Sequence, residues 1–198
     1  MDTIDNGQEL NVVVKDFVVF TFLDSNTYNL NLRLFDSIMS AERVMPETKQ
    51  LVLSECMHRL DDWKCVVLVL RYEKKTEIVR YVIDKVFLHC ASVNSNNGYG
   101  PYRLFEASLL YEILLNGCGE NLFLALEAWN FIKELKLLHK FSLDEFRRMH
   151  NAIEKISTLK DWCRTKTVVD ELATRIDCLE QEKILEQYFH LESTTEEI

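Results

Sequence analysis

The sequence predicts an all-α protein, a helical bundle or a short array of helical hairpins with about seven or eight helices. The first observation behind this prediction is that the 198 residues contain only five Gly and two Pro, against roughly 14 and 10 in an average chain of this length. Sheets need turns, and turns depend on these two residue types. Neither residue occurs between Glu47 and Asn97 or from Glu120 to Ile198, so both stretches are expected to be helices joined by short turns.

The second observation is a central stretch, Tyr102 to Lys140, whose pattern is that of a helical hairpin. Its first half is apolar almost all round, and a helix of that kind has to lie inside a packed protein. Asn116 to Gly119 is expected to end this arm, because Asn and Gly tolerate the left-handed conformation at helix ends. The second arm is amphipathic, with apolar residues at helical spacing: Leu122, Leu126, Trp129, Ile132 and Leu135.

Before this hairpin, residues 1–9 are expected to be flexible. Residues 10–23 are rich in β-branched and aromatic residues, which suits a strand, but they also fit one face of a helix. A helix is preferred because no partner strand is visible elsewhere. A second helix is predicted over 28–42, and Pro46 marks the first turn of a third, where its missing N–H costs nothing.

Two further helices and one loop follow. Asp61-Asp62 is interpreted as the cap of a short helix from Trp63 to Tyr72. From Thr76 the pattern is the cleanest in the chain, with one apolar and one charged face. Val93 to Pro101 contains two of the five glycines and one of the two prolines, and is predicted to be a loop.

The C-terminal third begins with a capping box, Ser142-Leu143-Asp144-Glu145. A turn over Thr158–Cys163 is expected to precede a long helix from about Thr167 to His190. The apolar stripe of that helix is regular only as far as Leu179. Residues 192–198 are predicted to be a flexible acidic tail, and residues 10–191 a single helical domain.

Charge and composition restrict the class of function. The net charge is −9 and the isoelectric point about 5.1, so the chain as a whole repels nucleic acid and anionic lipid. No run of about 18 apolar residues occurs, and the acidic N-terminus is unlike a secretory or mitochondrial leader. The six cysteines are scattered singly and no N-glycosylation sequon occurs, which favours reduced thiols in a cytoplasmic or nuclear protein.

The sequence predicts no catalytic residue, metal site or cofactor. The closest metal-ligand pairs, Cys56 with His58 and His89 with Cys90, stand two residues apart or adjacent, so a helix points them to different sides. A nucleophilic thiol at Cys118, in the turn Asn-Gly-Cys-Gly, is the enzymatic alternative. The expectation is a protein without enzymatic activity.

Recognition of another protein is the predicted function, with the chain acting as an adaptor or scaffold subunit. Tyr99 and Tyr102 lie in or beside the loop, and Tyr is enriched at interfaces. Tyr188 and Phe189 follow Ile184 and Leu185 on the last helix, after its regular stripe has ended. That surface could bind a partner protein, form a homodimer, or dock within the chain.

A helical nucleic-acid-binding protein is the alternative function. Basic residues cluster over residues 133–148 at the end of one predicted helix and the start of the next, where they could form a ridge. The acids between them favour a solvated helix face instead. The basic residues of this ridge are Lys133, Lys136, Lys140, Arg147 and Arg148.

Overall fold

The computed structural model describes five stretches of the chain. They are residues 12–16, 31–94, 105–117, 122–156 and 162–195, and the side chains of 117, 162–164 and 187–195 are outside the description. All regular structure within these stretches is helical, so the predicted all-α class is confirmed. Residues 12–16 are helical and form the described part of α1, which agrees with a helix in the 10–23 segment.

Eight longer α-helices follow α1 in the described chain. They are α2 (Leu32–Ser40), α3 (Pro46–His58), α4 (Trp63–Tyr72), α5 (Thr76–Asn94), α6 (Glu106–Glu112), α7 (Leu122–Glu134), α8 (Leu143–Ile156) and α9 (Trp162–Thr195). A π-helical turn, Ile113–Gly117, extends α6, and a 3₁₀ turn, Leu138–Lys140, separates α7 from α8.

Local capping chemistry explains where several helices begin. Pro46 is the first residue of α3. The Asp62 carboxylate accepts the Lys64 N–H at 3.0 Å, which caps α4. At α8 the Glu145 carboxylate accepts the Ser142 N–H at 2.8 Å, and the Ser142 hydroxyl accepts the Glu145 N–H at 3.4 Å, so the predicted capping box is present.

The end of α7 uses a lysine where glycine is usual. Lys136 has a φ of 56°, which is the left-handed region. Its N–H donates to the Lys133 carbonyl at 3.0 Å, and the Leu137 N–H donates to the Ile132 carbonyl at 2.9 Å. This is the Schellman pair of hydrogen bonds that closes a helix. The second arm of the predicted hairpin therefore ends as a helix at Glu134 instead of continuing to Lys140.

The structure divides into two compact units, Met1–Leu109 and Leu110–Ile198, and the division falls within α6. In the first unit α2, α3 and α5 all pack on α4. The six successive residues from Cys65 to Leu70 are therefore buried on every side. In the second unit α7, α8, α9 and the π-helical turn surround a core of large buried side chains: Trp129, Phe146, Met149, Ile153 and Leu172.

The central apolar arm lies in the interior, as predicted. Leu109, Leu110, Ile113 and Leu114 are each at most 1% exposed. The arm also carries its two glutamates inward, because Glu106 and Glu112 are each only 5% exposed. Glu112 accepts a hydrogen bond of 2.8 Å from the Asn116 side-chain amide.

Three further helices, α2, α5 and α9, have boundaries that differ from the sequence prediction. Val93 and Asn94 belong to α5, so the predicted loop starts after them, and its remainder lies outside the described residues. The second helix ends at Ser40, because Ala41 adopts an extended conformation with a ψ of 125°. The last helix begins at Trp162, so the predicted turn to Cys163 is two residues too long. It ends at Thr195, five residues beyond the predicted His190 and within the predicted flexible tail. Residues 1–9 lie outside the described chain, and the single-domain interpretation stays a prediction.

Candidate functional site

The four aromatic residues predicted to bind a partner lie wholly or partly outside the description. Tyr99 and Tyr102 lie outside the described residues. Tyr188 and Phe189 belong to α9, but their side chains are outside the description. Their role therefore stays a prediction, and the described residues beside them carry the argument.

The C-terminal part of α9 is exposed. The helix has 34 residues and is therefore about 51 Å long. Each side chain from Gln181 to Glu186 is exposed, including Ile184 at 52% and Leu185 at 55%. Two adjacent branched apolar side chains are thus open to solvent on a helix whose earlier turns are well buried.

The start of α8 shows how far this helix runs along α9. The Arg147 guanidinium donates to the Glu180 carboxylate at 2.7 Å, which places the first turns of α8 beside Glu180. Leu143 is the first residue of α8, so only about one turn of α8 lies before Arg147 and its ion pair. From Ile184 onward α8 no longer covers α9.

The exposed pair also lies on a different side of α9 from the buried stripe. Leu172 is fully buried within that stripe. At 100° per residue, Ile184 and Leu185 fall about 120° and 220° around the helix from Leu172. The two apolar surfaces of α9 therefore point in different directions, and the second is not a continuation of the first.

Acidic residues bracket the exposed pair. Asp177 is exposed and stands seven residues before Ile184, on the same side of α9. Asp170 is exposed seven residues earlier still. In the sequence, Glu192 follows Leu185 by seven residues. We define Ile184 and Leu185, with Asp177 beside them, as the α9 surface.

The basic ridge is partly neutralised by the second unit's own carboxylates. Lys133 donates to Glu171 at 2.9 Å, and Arg147 pairs with Glu180 as well as with Asp144 at 3.3 Å. The hydrogen bond that Arg147 donates to Glu180 raises the pKa of Arg147. Desolvation opposes this rise, and the charge of Glu180 adds to it. The other three basic residues of the ridge are exposed: Lys136, Lys140 and Arg148.

A polar cluster joins α7 to α9 beside the ridge. The Trp129 indole N–H donates to the Glu171 carboxylate at 2.8 Å, and the Lys133 ammonium contacts both oxygens of the same carboxylate at 2.9 and 3.2 Å. Burial raises the pKa of Glu171, but the hydrogen bonds from Trp129 and Lys133 and the charge of Lys133 outweigh it. The pKa therefore lies below its ordinary value.

A cleft of about 540 Å³ opens beside this cluster. Ligand pockets in proteins typically enclose about 300–1,000 Å³. Trp129, Lys133 and Leu138 form one side of the cleft, and successive turns of α9 form the other. The residues that α9 contributes are Thr167, Asp170, Glu171, Thr174, Arg175 and Cys178.

The first unit contains a buried pair of titratable side chains. His89 Nε2 lies 3.2 Å from Glu106 Oε1, with the two side chains 4% and 7% exposed. Burial, followed by the charge of Glu106, raises the pKa of the neighbouring Cys90 to about 12. Phe105, next to Glu106, stacks on Trp63 with ring centroids 4.4 Å apart. This packing is typical of an interior held together by a few paired polar groups.

The cysteines and the possible metal ligands are the other candidates for chemistry. Within the described stretches, Cys56, Cys65 and Cys90 are buried and Cys178 is exposed, while Cys118 lies outside them. A hydrogen bond with Cys65 and then burial raise the pKa of Cys56 above its ordinary value, which is typical of a structural thiol and not of a nucleophile. No described group of three or more His, Cys, Asp or Glu side chains is placed to hold a metal ion.

None of the helices in the described stretches combines the length and the apolar character needed to cross a bilayer. The predictions of no catalytic residue and no enzymatic activity stay predictions.

Comparison with known proteins places no further constraint on function. No family model, curated protein or solved structure matches the chain.

Sequence reasoning missed three features of these sites. Arg175 and Cys178 lie between Leu172 and Leu179, at positions that the helical pattern marks only as solvated. The partnership of Glu171 with Trp129 joins residues 42 positions apart, and no local pattern signals it. The burial of Glu106 did have a signal, since it interrupts a stretch that is otherwise apolar all round.

Proposed function

We propose that this protein is a protein-interaction module, an adaptor or scaffold subunit of the cytoplasm or nucleus, that binds its partner through the α9 surface. The observation that supports the proposal is the second apolar face of α9, at Ile184 and Leu185, which α8 does not cover. Exposed apolar surface on a helix is stabilised when a partner covers it. Tyr188 and Phe189 follow these two residues by four positions each, the spacing that repeats one helix face.

The charge around the surface favours a basic partner. Asp177 stands at one end of the apolar segment, and Glu192 follows it in the sequence. If two copies paired antiparallel, Asp177 of one copy would lie near Glu192 of the other. If they paired in parallel, Asp177 would lie near Asp177 and Glu192 near Glu192. Either arrangement is repulsive. The partner expected here is an amphipathic helix whose apolar face is flanked by Lys or Arg, a common mode of helix recognition.

A double substitution tests the proposal. Ile184→Ala with Leu185→Ala is expected to weaken partner binding about thirtyfold, because anchors at the centre of an interface typically contribute about 2 kcal/mol or more. The thermal midpoint should stay within a few degrees of wild type, since neither side chain is buried. Partners are captured from extract with the full chain, identified, purified, and titrated against both forms.

The matched control is Tyr81→Ala with Leu88→Ala on α5. These side chains are 50% and 73% exposed, so the control removes a comparable exposed apolar area from the first unit. Partners that both double variants lose, or that both retain, would contradict a site on α9. Sedimentation of the chain alone tests the homodimer alternative, which predicts a concentration-dependent mass that the α9 variant loses.

The nucleic-acid alternative makes a separate prediction. Binding to RNA or DNA would weaken steeply with salt, whereas docking on an apolar helix face would not. Two of the five ridge side chains, Lys133 and Arg147, already contact carboxylates. Nothing observed in the described residues favours this alternative over the interaction module.

A further inference from the structure

The α7–α9 cleft is independent of the α9 surface and has an unusual distribution of polar partners. Three of its polar groups satisfy one another, because the Glu171 carboxylate accepts from both Trp129 and Lys133. Trp129 and Leu138 add apolar surface. The cleft therefore combines an apolar wall with a polar cluster that is already complete.

Arg175 is the exception. Its guanidinium makes no hydrogen bond or ion pair with any residue in the described part of the chain. Its Nε is also shielded from solvent without an acceptor. A guanidinium carries five N–H donors in a planar fork that suits a carboxylate. Arg175 also lines the cleft, so a ligand carboxylate in the cleft would give this guanidinium an acceptor that the described residues do not supply.

We propose that the α7–α9 cleft binds an amphipathic small-molecule carboxylate, whose carboxylate pairs with Arg175 while its apolar body packs against Trp129 and Leu138. The volume of about 540 Å³ suits a molecule of that size. A planar carboxylate matches the fork of the guanidinium in a bidentate pair.

The other charges of the cleft argue for a single negative charge on the ligand. Asp170 is an exposed carboxylate at the rim, and Glu171 adds a second one that Lys133 neutralises. The lining contains two cations and two carboxylates, so its net charge is zero. A polyphosphate or nucleic acid drawn to Arg175 would meet Asp170 as well, whereas a monocarboxylate can pair with Arg175 alone.

Octanoate is the probe for this proposal, with 1-octanol as the neutral molecule of equal chain length. Two signals report on the cleft: the indole N–H resonance of Trp129, assigned with Trp129→Phe, and the alkylation rate of Cys178 measured by peptide mass spectrometry. Octanoate is expected to shift the resonance and slow the alkylation. 1-Octanol should bind about tenfold more weakly, because a hydrogen-bonded charge pair is lost.

Variants locate the carboxylate. Arg175→Gln should weaken octanoate about tenfold and leave 1-octanol unaffected. Arg80→Gln, an identical change at a half-exposed arginine of α5, should bind octanoate as wild type does. The proposal is overturned if octanoate leaves both signals unchanged, if the two variants bind it equally, or if 1-octanol binds as tightly. Should Arg175→Gln not fold, the comparison of octanoate with 1-octanol on the wild-type chain decides alone.

A peptide ligand tests whether the carboxylate belongs to a small molecule or to the C-terminus of a peptide. N-acetyl-leucyl-leucine presents a C-terminal carboxylate beside apolar side chains. Weaker binding of this peptide than of octanoate supports a small-molecule site. Tighter binding would overturn that assignment in favour of a peptide terminus.

Discussion

Replacing His89 with leucine removes one member of the buried pair in the first unit. The imidazole Nε2 lies 3.2 Å from the Glu106 carboxylate, and the side chains are 4% and 7% exposed. Leucine has a similar bulk but offers no donor. The Glu106 carboxylate would then be buried without a hydrogen-bond partner in the described structure.

The expected cost is about 3–5 kcal/mol. Without the imidazole, whose Nε2 lies 3.2 Å from Glu106 Oε1, the carboxyl group would stay buried with nothing in place of that partner. Removing one partner of a buried ion pair typically costs about 3–5 kcal/mol, against about 1–3 kcal/mol for a neutral hydrogen bond. Since folding stability is about 5–15 kcal/mol in total, the loss would be a large part of it.

Urea unfolding followed by circular dichroism measures this loss. With a slope of about 1–3 kcal/mol per molar urea, the midpoint should fall by about 1–5 M. His89→Gln, which keeps a side-chain N–H donor, should lose less than half as much. The double variant His89→Leu with Glu106→Leu should recover most of the loss, because a buried pair can be replaced by apolar side chains at little cost. A single substitution costing under about 1 kcal/mol, or a double variant as unstable as the sum of the singles, would refute the reasoning.

Three further predictions concern the second unit. Ile113→Ala should cost about 2–5 kcal/mol in urea unfolding, because this fully buried side chain would leave a cavity; a cost like that of an exposed position would contradict its place in the core. Glu171→Gln should destabilise the protein at pH 7. The lowered pKa of Glu171 means that its contribution is present above the ordinary carboxyl pKa of about 4.3 and is lost as the pH falls through the folded value. Urea unfolding of the wild type and of Glu171→Gln between pH 7 and pH 3 checks this. A stability difference between the two that grows as the pH falls would contradict the prediction. Lys136→Gly should stabilise the protein by up to about 1 kcal/mol, since glycine adopts a positive φ without strain; a lower thermal midpoint would count against the Schellman assignment.

Local patterns predicted much of the fold. The capping box at Ser142, the start of α3 at Pro46 and the cap of α4 at Asp62 all depend on residues within four positions of each other. Such contacts form whenever the helix forms, so the sequence alone reveals them. The burial of Leu109 and Ile113 was predictable for a related reason, because a helix that is apolar on every side has no face to offer to water.

The candidate sites were less predictable. The sequence shows that Ile184 and Leu185 remain apolar after the regular stripe of α9 ends. Their exposure depends on which face of α9 packs on α8, which is a matter of how the two helices are aligned. The cleft is harder still to foresee, since the partnership of Trp129 with Glu171 and the isolation of Arg175 arise only when α7 packs on α9.

The sequence by itself determined the helical class, the positions of most helices and the central apolar arm, because scarce Gly and Pro, helical periodicity and end caps all act within a few residues. The tertiary structure alone decided which polar groups became partners. Glu106 and Glu171 look alike in the sequence, yet one is buried against His89 and the other holds Lys133 at the edge of a cleft. The physical reason is that the partner of a charged side chain is set by packing between distant helices, and single-residue patterns carry no information about that alignment.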